Sequence, residues 1–203
     1  KLKLDRMIFE TLQILKEQLE AYLVISGFGK IVTLDNIALW QSGSDDANRI
    51  DGKVVLTLIK LDEETTLKNN PNYKINNGKT EYRNPPVNLN LFMLISGNCD
   101  TYDKSLRAIS KSIQFFQGKK VFTSANTVYN RNNVSFDVLE QFRFVLDLYT
   151  PTFDELNNIW GMLGGRQMPS VIYRIQLIQI EQDKLQSAAD VITHIGGEIN
   201  HME

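Results

Sequence analysis

Four segments of the chain alternate apolar and polar residues with the period of two that β-strands show. They are Lys53–Leu61, Val87–Ile95, Phe142–Thr150 and Ser170–Glu181. The second segment is apolar on both sides toward its end, so we expect both faces of that strand to be covered. In the third segment, one side consists of Phe142, Phe144, Leu146 and Leu148. Four long strands predict that a β-sheet is the framework around which the rest of the chain is arranged.

The N-terminal part of the chain is predicted to form a helix followed by an extended segment. From Leu4 to Tyr22, apolar residues recur at spacings of three and four, and Glu10 is assigned to the solvent side of this helix. The segment Ile31–Trp40 is rich in β-branched and apolar residues and is predicted to be extended. The polar segment Ser42–Asn48 is predicted to be a loop.

Two more amphipathic helices are predicted between the strands. The first is capped by Asp100 or Thr101, and its apolar stripe consists of Tyr102, Leu106, Ile109, Ile113 and Phe116. The second begins at a capping box formed by Thr152 and Glu155, and its apolar residues are Phe153, Leu156, Ile159, Trp160 and Leu163. We expect the apolar side of each helix to pack on the sheet.

The order of these elements predicts an α/β (α+β) fold, in which a single mixed β-sheet carries helices packed against it. Residues 1–183 are assigned to one domain. From it projects a polar, asparagine-rich segment, residues 64–86, as a long loop or an extended hairpin. Residues 184–203 are assigned to a C-terminal tail that is extended or docked on a partner.

Composition and charge argue against several classes of protein. The formal net charge is −2, whereas proteins that bind nucleic acid through its phosphates usually carry a positive excess, so no nucleic-acid partner is expected. The chain has one cysteine, Cys99, so no intrachain disulfide can form. No segment is long and apolar enough to cross a bilayer, and the first residues lack the apolar stretch of a signal peptide. We therefore expect no membrane insertion, and folding in a reducing cytoplasm.

The chain offers little that resembles catalytic chemistry. The segment 26–30 lacks the spacing of a phosphate-binding loop, and both histidines, His194 and His201, lie in the predicted tail. The acidic run 62–64 is the remaining candidate, as a site for a divalent cation in a small metal-dependent hydrolase. Neighbouring acids at the end of a strand are usually solvated instead. We therefore expect no catalytic residue, no cofactor and no metal, and a protein that is not an enzyme.

The predicted surfaces are more informative. Lys104, Arg107 and Lys111 lie at spacings of three and four on the helix that follows Thr101, opposite its apolar stripe. They form either an ordinary solvated side or a contact surface for an acidic partner. From residue 181 onward, five acidic residues stand against one lysine. The tail of one copy is therefore a candidate partner for the basic helix of a neighbouring copy.

Several of these segments together resemble a known family. The segment 156–165, a helix that ends in Trp160, Gly161 and a glycine pair, precedes the motif Met168–Arg174, in which Pro169-Ser170 opens a long strand. The segment 85–91, followed by the helix with Tyr102, Leu106 and residues 113–117, is similar to the same family, as is the opening helix that leads into Lys53–Leu61. The chain from about Asp5 to Glu181 thus resembles the cap, or tail-terminator, proteins of phage-tail-like extracellular contractile injection systems.

The resemblance implies a structural role. It implies a homo-hexameric ring at the membrane-distal end of an injection particle, where the ring ends polymerisation of the inner tube and the sheath and stabilises the extended sheath. The implied partners are further copies of the chain and the tube and sheath subunits. Assembly is expected in the bacterial cytoplasm, with release of the particle as one outcome. A monomeric assembly adaptor or chaperone is the alternative, and the metal-dependent hydrolase is a more remote one.

Overall fold

The computed structural model describes residues 7–41, 45–64, 73–76, 79–82, 87–129, 142–180 and 187–190. The α-helices in these ranges are α1 (Met7–Ile25), α2 (Asp45–Ile50), α3 (Tyr102–Gly118) and α4 (Phe153–Met162), and a 3-10 helix spans Ile37–Gln41. The strands are β1 (Val32–Leu34), β2 (Lys53–Glu63), β3 (Tyr73–Asn76), β4 (Lys79–Tyr82), β5 (Val87–Asn98), β6 (Val121–Thr123), β7 (Arg143–Tyr149), β8 (Ser170–Ile180) and β9 (Ser187–Asp190).

A six-stranded sheet in the order β1-β2-β5-β8-β7-β6 forms the framework of the molecule. β1 pairs with β2 in parallel, and the other neighbours pair in antiparallel fashion, so the sheet is mixed. The four strands predicted from alternation are β2, β5, β7 and β8, and they occupy the four central positions. The predicted fold class, a mixed sheet with helices packed against it, is confirmed.

The two faces of this sheet are covered by different helices. α1 and α3 pack on one face, over a core that includes Leu15, Leu91 and Phe116. α2, the 3-10 helix and α4 cover the other, where Trp160 packs with Phe92 and neighbouring residues. Because both faces are covered, β5 is buried continuously from residue 90 to residue 97, as its two-sided apolar character predicts.

α3 contacts the sheet through small residues. Ser105, Ala108 and Ser112 are buried against it, and a Cβ atom built on Gly97 of β5 would lie 3.1 Å from the Cβ atom of Ser105. The stripe predicted for this helix is therefore wrong in part. Ile109 and Phe116 are buried, but Tyr102, Leu106 and Ile113 are 69%, 44% and 38% exposed. The close approach is possible only with small side chains at the contact. The helix therefore turns its small residues toward the sheet, and part of the predicted apolar stripe faces solvent.

α4 is attached chiefly through Trp160, which is 3% exposed. The predicted capping box at its start is confirmed, because Thr152 accepts from the Glu155 backbone N–H while the Glu155 carboxylate accepts from the Thr152 N–H. Phe153, predicted on the packed side, is 91% exposed, since it lies in the first turn, beyond the edge of the core. Leu148 on the neighbouring strand β7 is likewise exposed, although it continues the side of Phe144.

α1 follows the predicted pattern with one error. Leu12, Leu15 and Leu19 are buried, but Glu10, assigned to solvent, is only 1% exposed. Glu10 lies one helical turn before Ile14, which is fully buried, so the first half of α1 is enclosed over a wider arc than an ordinary amphipathic helix.

The chain between α1 and β2 is more helical than predicted. Only Val32–Leu34 is extended, because the Thr57 hydroxyl donates to the Asp35 carbonyl and accepts from the Ile37 N–H, which fixes a turn at this point. The chain then forms the 3-10 helix. Residues 45–48, predicted as loop, belong to α2.

A second, three-stranded sheet has the order β3-β4-β9. β3 and β4 form an antiparallel hairpin inside the segment 64–86, and β9, from the region assigned to the tail, pairs with β4 through Lys79–Tyr82. The division into a domain of residues 1–183 and a tail of residues 184–203 stays a prediction.

Candidate protein-contact sites

The three basic residues predicted as a contact surface lie together on α3. Two of them bind acids one turn away: the Lys104 ammonium is 2.7 Å from an Asp100 carboxylate oxygen, and the Arg107 Nε is 3.1 Å from Asp103. The hydrogen bond from Lys104 lowers the pKa of Asp100, and it raises the pKa of Lys104. Much of the positive charge of this helix is therefore balanced locally, and its contact with an acidic partner stays a prediction.

These basic residues border a shallow groove of about 900 Å³ between α3 and the turn after α1. Leu106 and Phe28 contribute apolar side chains to it, and Arg107 and Lys111 contribute cations. Gly27 and Gly29 have φ angles of 88° and 75° in this turn, and the Phe28 N–H donates to the Leu23 carbonyl, so the glycines end α1 as predicted. We call the exposed residues Tyr102, Leu106, Arg107 and Ile113, together with the half-buried Lys111, the α3 surface.

A second groove, of about 450 Å³, lies where the sheet meets both helical layers. Phe9 of α1 and Leu58 of β2 line it from one layer, and Ile59 of β2 and Ile159 and Met162 of α4 line it from the other. Successive residues of a strand point to opposite faces, so a groove that contacts both Leu58 and Ile59 lies at the edge of the sheet. We call it the β2 groove. The sequence analysis missed it because its lining comes from three separate elements.

The acidic run 62–64 does not converge on a point. Asp62 binds Lys60 at 2.8 Å, and the Glu64 carboxylate accepts from the Asn90 side chain at 2.9 Å. Within the ranges that the structure describes, no three histidine, cysteine or acidic side chains are grouped so as to hold a metal ion. The geometry therefore gives the metal-dependent hydrolase alternative no support. His194, His201 and most of the acidic tail lie outside the described residues.

A search of the helices in the described ranges for one long and apolar enough to span a membrane found none. Cys99 follows β5 with a half-buried thiol, and its backbone N–H donates to the Ser105 hydroxyl. Burial raises the pKa of this thiol, which makes it a poor nucleophile.

Comparison with known proteins identifies solved structures that share this fold. Among solved structures, the chain resembles the sheath/tube terminator of the PVC extracellular contractile injection system in its extended state, with a TM-score of 0.60 and 14% identity. It also resembles the tube-terminating cap of the anti-feeding prophage, with a TM-score of 0.58 and 16% identity. These matches cover 97% and 93% of this chain, and 64% and 60% of the respective terminator chains.

At these identities the matches establish a shared fold. No curated protein sequence matches the chain. The sequence model of the Pvc16 N-terminal domain matches residues 10–194, which is most of the chain. The resemblance drawn from the Trp160 helix and the Pro169 strand is thereby confirmed, and this protein belongs to the Pvc16 N-terminal domain family.

Proposed function

We propose that the chain is a structural cap subunit that terminates the inner tube and the sheath of a contractile injection particle. The observation that carries the proposal is the fold that 97% of the chain shares with a sheath/tube terminator. Fold alone does not determine function, but two solved terminators that share this fold favour a scaffold role over an enzyme.

The packing of the chain suits such a role. Both faces of the six-stranded sheet are covered by helices, so the framework is stiff. Among the described residues, the α3 surface and the β2 groove both present exposed apolar side chains, and they lie on different elements of the molecule. A ring of identical subunits uses heterologous contacts, in which one surface of each subunit meets a different surface of the next. We propose that the ring has six members, to match the tube and sheath.

The proposal extends to partners and place. The subunits contact further copies of the chain together with tube and sheath subunits, stabilise the extended sheath and carry out no reaction. Assembly takes place in the bacterial cytoplasm, and the finished particle is released or retained. The resemblance to terminator proteins supports the tube and sheath as partners, and the place of assembly is part of the proposal.

The decisive experiment compares particles assembled with and without this protein. If it is a cap, particles that lack it have tubes of uncontrolled length and sheaths that do not remain extended, which negative-stain microscopy measures directly. Normal particles of defined length in its absence would overturn the proposal. An adaptor or chaperone would instead lower the number of particles while leaving no trace of the protein in them, which mass spectrometry of purified particles distinguishes.

A surface variant tests the assembly role without disturbing the fold. Leu106→Asp places a charge in the middle of the α3 surface, where the side chain is 44% exposed, so the free energy of unfolding should change by no more than about 0.5 kcal/mol. Incorporation into particles should fall at least about tenfold. Gln117→Asp is the matched control, since Gln117 is an exposed residue of α3 outside the groove. Equal incorporation of both variants would remove the α3 surface from the proposal.

A further inference from the structure

β2 is much longer than the strand that covers its outer edge. β1 pairs only with Val54–Leu56, whereas β2 continues to Glu63. Within the described ranges, no strand pairs with this edge of β2 from Leu58 to Asp62. The Thr57 hydroxyl explains why, because it holds the turn that takes the chain away from β2 at Asp35.

The backbone of β2 points partly toward this open edge. The Val54 N–H donates to the Ile31 carbonyl, so the backbone groups of Val54 point toward the β1 side. The Glu64 N–H donates to Asn88 at the start of β5, so Glu64 points the other way. The pairing register with β5 shifts between Leu58 and Lys60, and this irregularity reverses the alternation of backbone orientation along β2. Counted back from Glu64, Leu61 therefore presents its N–H and C=O to the open edge. The side chain of Leu61 is also 46% exposed.

The β2 groove lies along this open edge. Phe9 borders it on the α1 layer and is 52% exposed, and Met162 borders it on the α4 layer and is 76% exposed. A strand added beside β2 would therefore have an apolar neighbour on each face, in addition to main-chain partners on β2. This combination is the recognition mode in which an extended peptide adds a strand to a sheet.

The charges around the groove indicate what kind of strand fits. Asp35 lines the groove, with the Arg49 Nε 3.4 Å from its carboxylate. Residues 60–64 at the open edge carry three carboxylates, those of Asp62, Glu63 and Glu64, and one ammonium group, that of Lys60. Lys60 itself is held by Asp62 at 2.8 Å. A strand whose apolar residues alternate with lysine or arginine would place its apolar side chains in the groove and its cations near this acidic rim.

We propose that the β2 groove accepts an extended segment of another protein subunit, apolar at alternate positions and basic between them, which pairs with β2 from Leu58 to Asp62. The proposal adds a partner surface to the cap role but does not depend on it, because the experiment uses the isolated full chain and a synthetic peptide.

The probe is a fluorescent peptide of about eight residues in which isoleucine and lysine alternate. One matched peptide has glutamate in place of lysine. The other carries N-methyl groups on alternate residues, so that one edge of the peptide cannot form main-chain hydrogen bonds with β2. We expect the first peptide to bind, and each matched peptide to bind at least about tenfold more weakly. Hydrogen exchange at the Leu61 amide should slow when the first peptide is bound, because that amide would become a ladder donor.

Two variants of α4 localise the binding. Met162→Lys removes an apolar contact in the groove and adds a charge, so it should weaken binding at least about tenfold. Phe153→Lys adds the same charge to an exposed side chain of the same helix outside the groove, and should change binding less than about twofold. The proposal is overturned if the N-methyl peptide binds equally well, if the two variants behave alike, or if the Leu61 amide is already protected in the free chain.

Discussion

The two faces of the six-stranded sheet are covered in contrasting ways. On the α1 and α3 face, buried residues from two helices and six strands form one extended cluster. On the α4 face the buried cluster is smaller, and Trp160 is the only residue that α4 contributes to it among the described residues. α1 and α3 are therefore held by many buried side chains, whereas α4 is held by one fully buried side chain with the half-buried Leu156 and Ile159 packed beside it.

The size of the buried side chains accounts for the position of each helix. α3 lies close to the sheet because Ser105, Ala108 and Ser112 are small where it crosses β5 near Gly97. α4 needs no close approach, because the indole of Trp160 reaches down to Phe92 and its neighbours. We therefore expect α4 to be sensitive to loss of volume, and α3 to be sensitive to added volume.

The largest effect is expected for Trp160→Ala. Removing this side chain takes away the main attachment of α4 and leaves a cavity, so the free energy of unfolding should fall by about 3–5 kcal/mol. Chemical denaturation of the purified variant measures the change. A loss below about 1 kcal/mol would mean that α4 is held by contacts other than its tryptophan, and the contrast between the two faces would disappear.

The second effect concerns pH and the α3 face. Burial raises the pKa of Tyr173 to about 12, and the side chain is 4% exposed. An unfolded tyrosine has a pKa near 10, so between about pH 10 and 12 the unfolded chain loses this proton and the folded chain keeps it. Stability should fall across this range, by at most about 3 kcal/mol from this group.

The matched variant for that prediction is Tyr173→Phe, which keeps the ring and removes the titrating hydroxyl. Denaturation curves at pH 9, 10 and 11 (roughly the onset of the range) should show a shallower fall for the variant than for the original chain. If the stability of the two proteins fell equally with pH, the loss of stability at high pH would be due to other titrating groups.

The third effect tests the close contact of α3. Gly97→Ala adds a Cβ atom 3.1 Å from both the Cβ and the carbonyl oxygen of Ser105. Because a backbone carbonyl cannot shift without disturbing the helix, we expect the free energy of unfolding to fall by about 1–3 kcal/mol. The shift in the thermal unfolding midpoint measures this change. Gly118→Ala is the control at the end of the same helix, where a Cβ atom would meet nothing within 4 Å. A neutral Gly97→Ala would show that α3 has room to spare.

The smallest effect separates the starts of the two helices. Thr152 accepts from the Glu155 N–H in a complete capping box, whereas Thr101 accepts from the Lys104 N–H alone. Thr152→Ala and Thr101→Ala should each lower the free energy of unfolding by about 1 kcal/mol. The larger loss is expected at Thr152, because removing its hydroxyl also loosens the turn that holds the backbone N–H of residue 152 against the Glu155 carboxylate. Urea titrations of the two variants give the comparison, and equal losses would show that the two hydrogen bonds of the capping box do not reinforce each other.

The strands of the sheet could be predicted from the sequence, but the orientation of the helices on it could not. Alternation located β2, β5, β7 and β8 because a strand with covered faces has few other ways to arrange its apolar residues. For α3, the large residues marked a stripe centred on Leu106, while the actual contact uses small residues. Ser105, Ala108 and Ser112 are small residues at intervals of three and four, which is a pattern that permits close helix packing. The pattern indicates a contact only once Gly97 is known to lie opposite it, and the sequence does not show that.

The contact sites were predictable only in part. Lys104, Arg107 and Lys111 were identified from spacing and do lie together, yet the balancing roles of Asp100 and Asp103 appear only in the structure. The β2 groove could not be predicted, because it depends on where β1 stops and on how α1 and α4 overhang the sheet edge. Such a site is a property of packing between elements and has no local sequence pattern.

The strand β9 makes the far end of the chain a structural neighbour of residues about a hundred positions earlier, since Ser187–Asp190 pairs with β4. β4 is the middle strand of its sheet, so a chain cut after Asp183 would leave only the two-stranded hairpin β3-β4, an arrangement that is marginal in water. Shortening the terminus would thus remove the C-terminal segment and also destabilise the β3-β4 hairpin. Single charge reversals at Glu198 or Glu203 are the cleaner way to ask what the acidic end recognises.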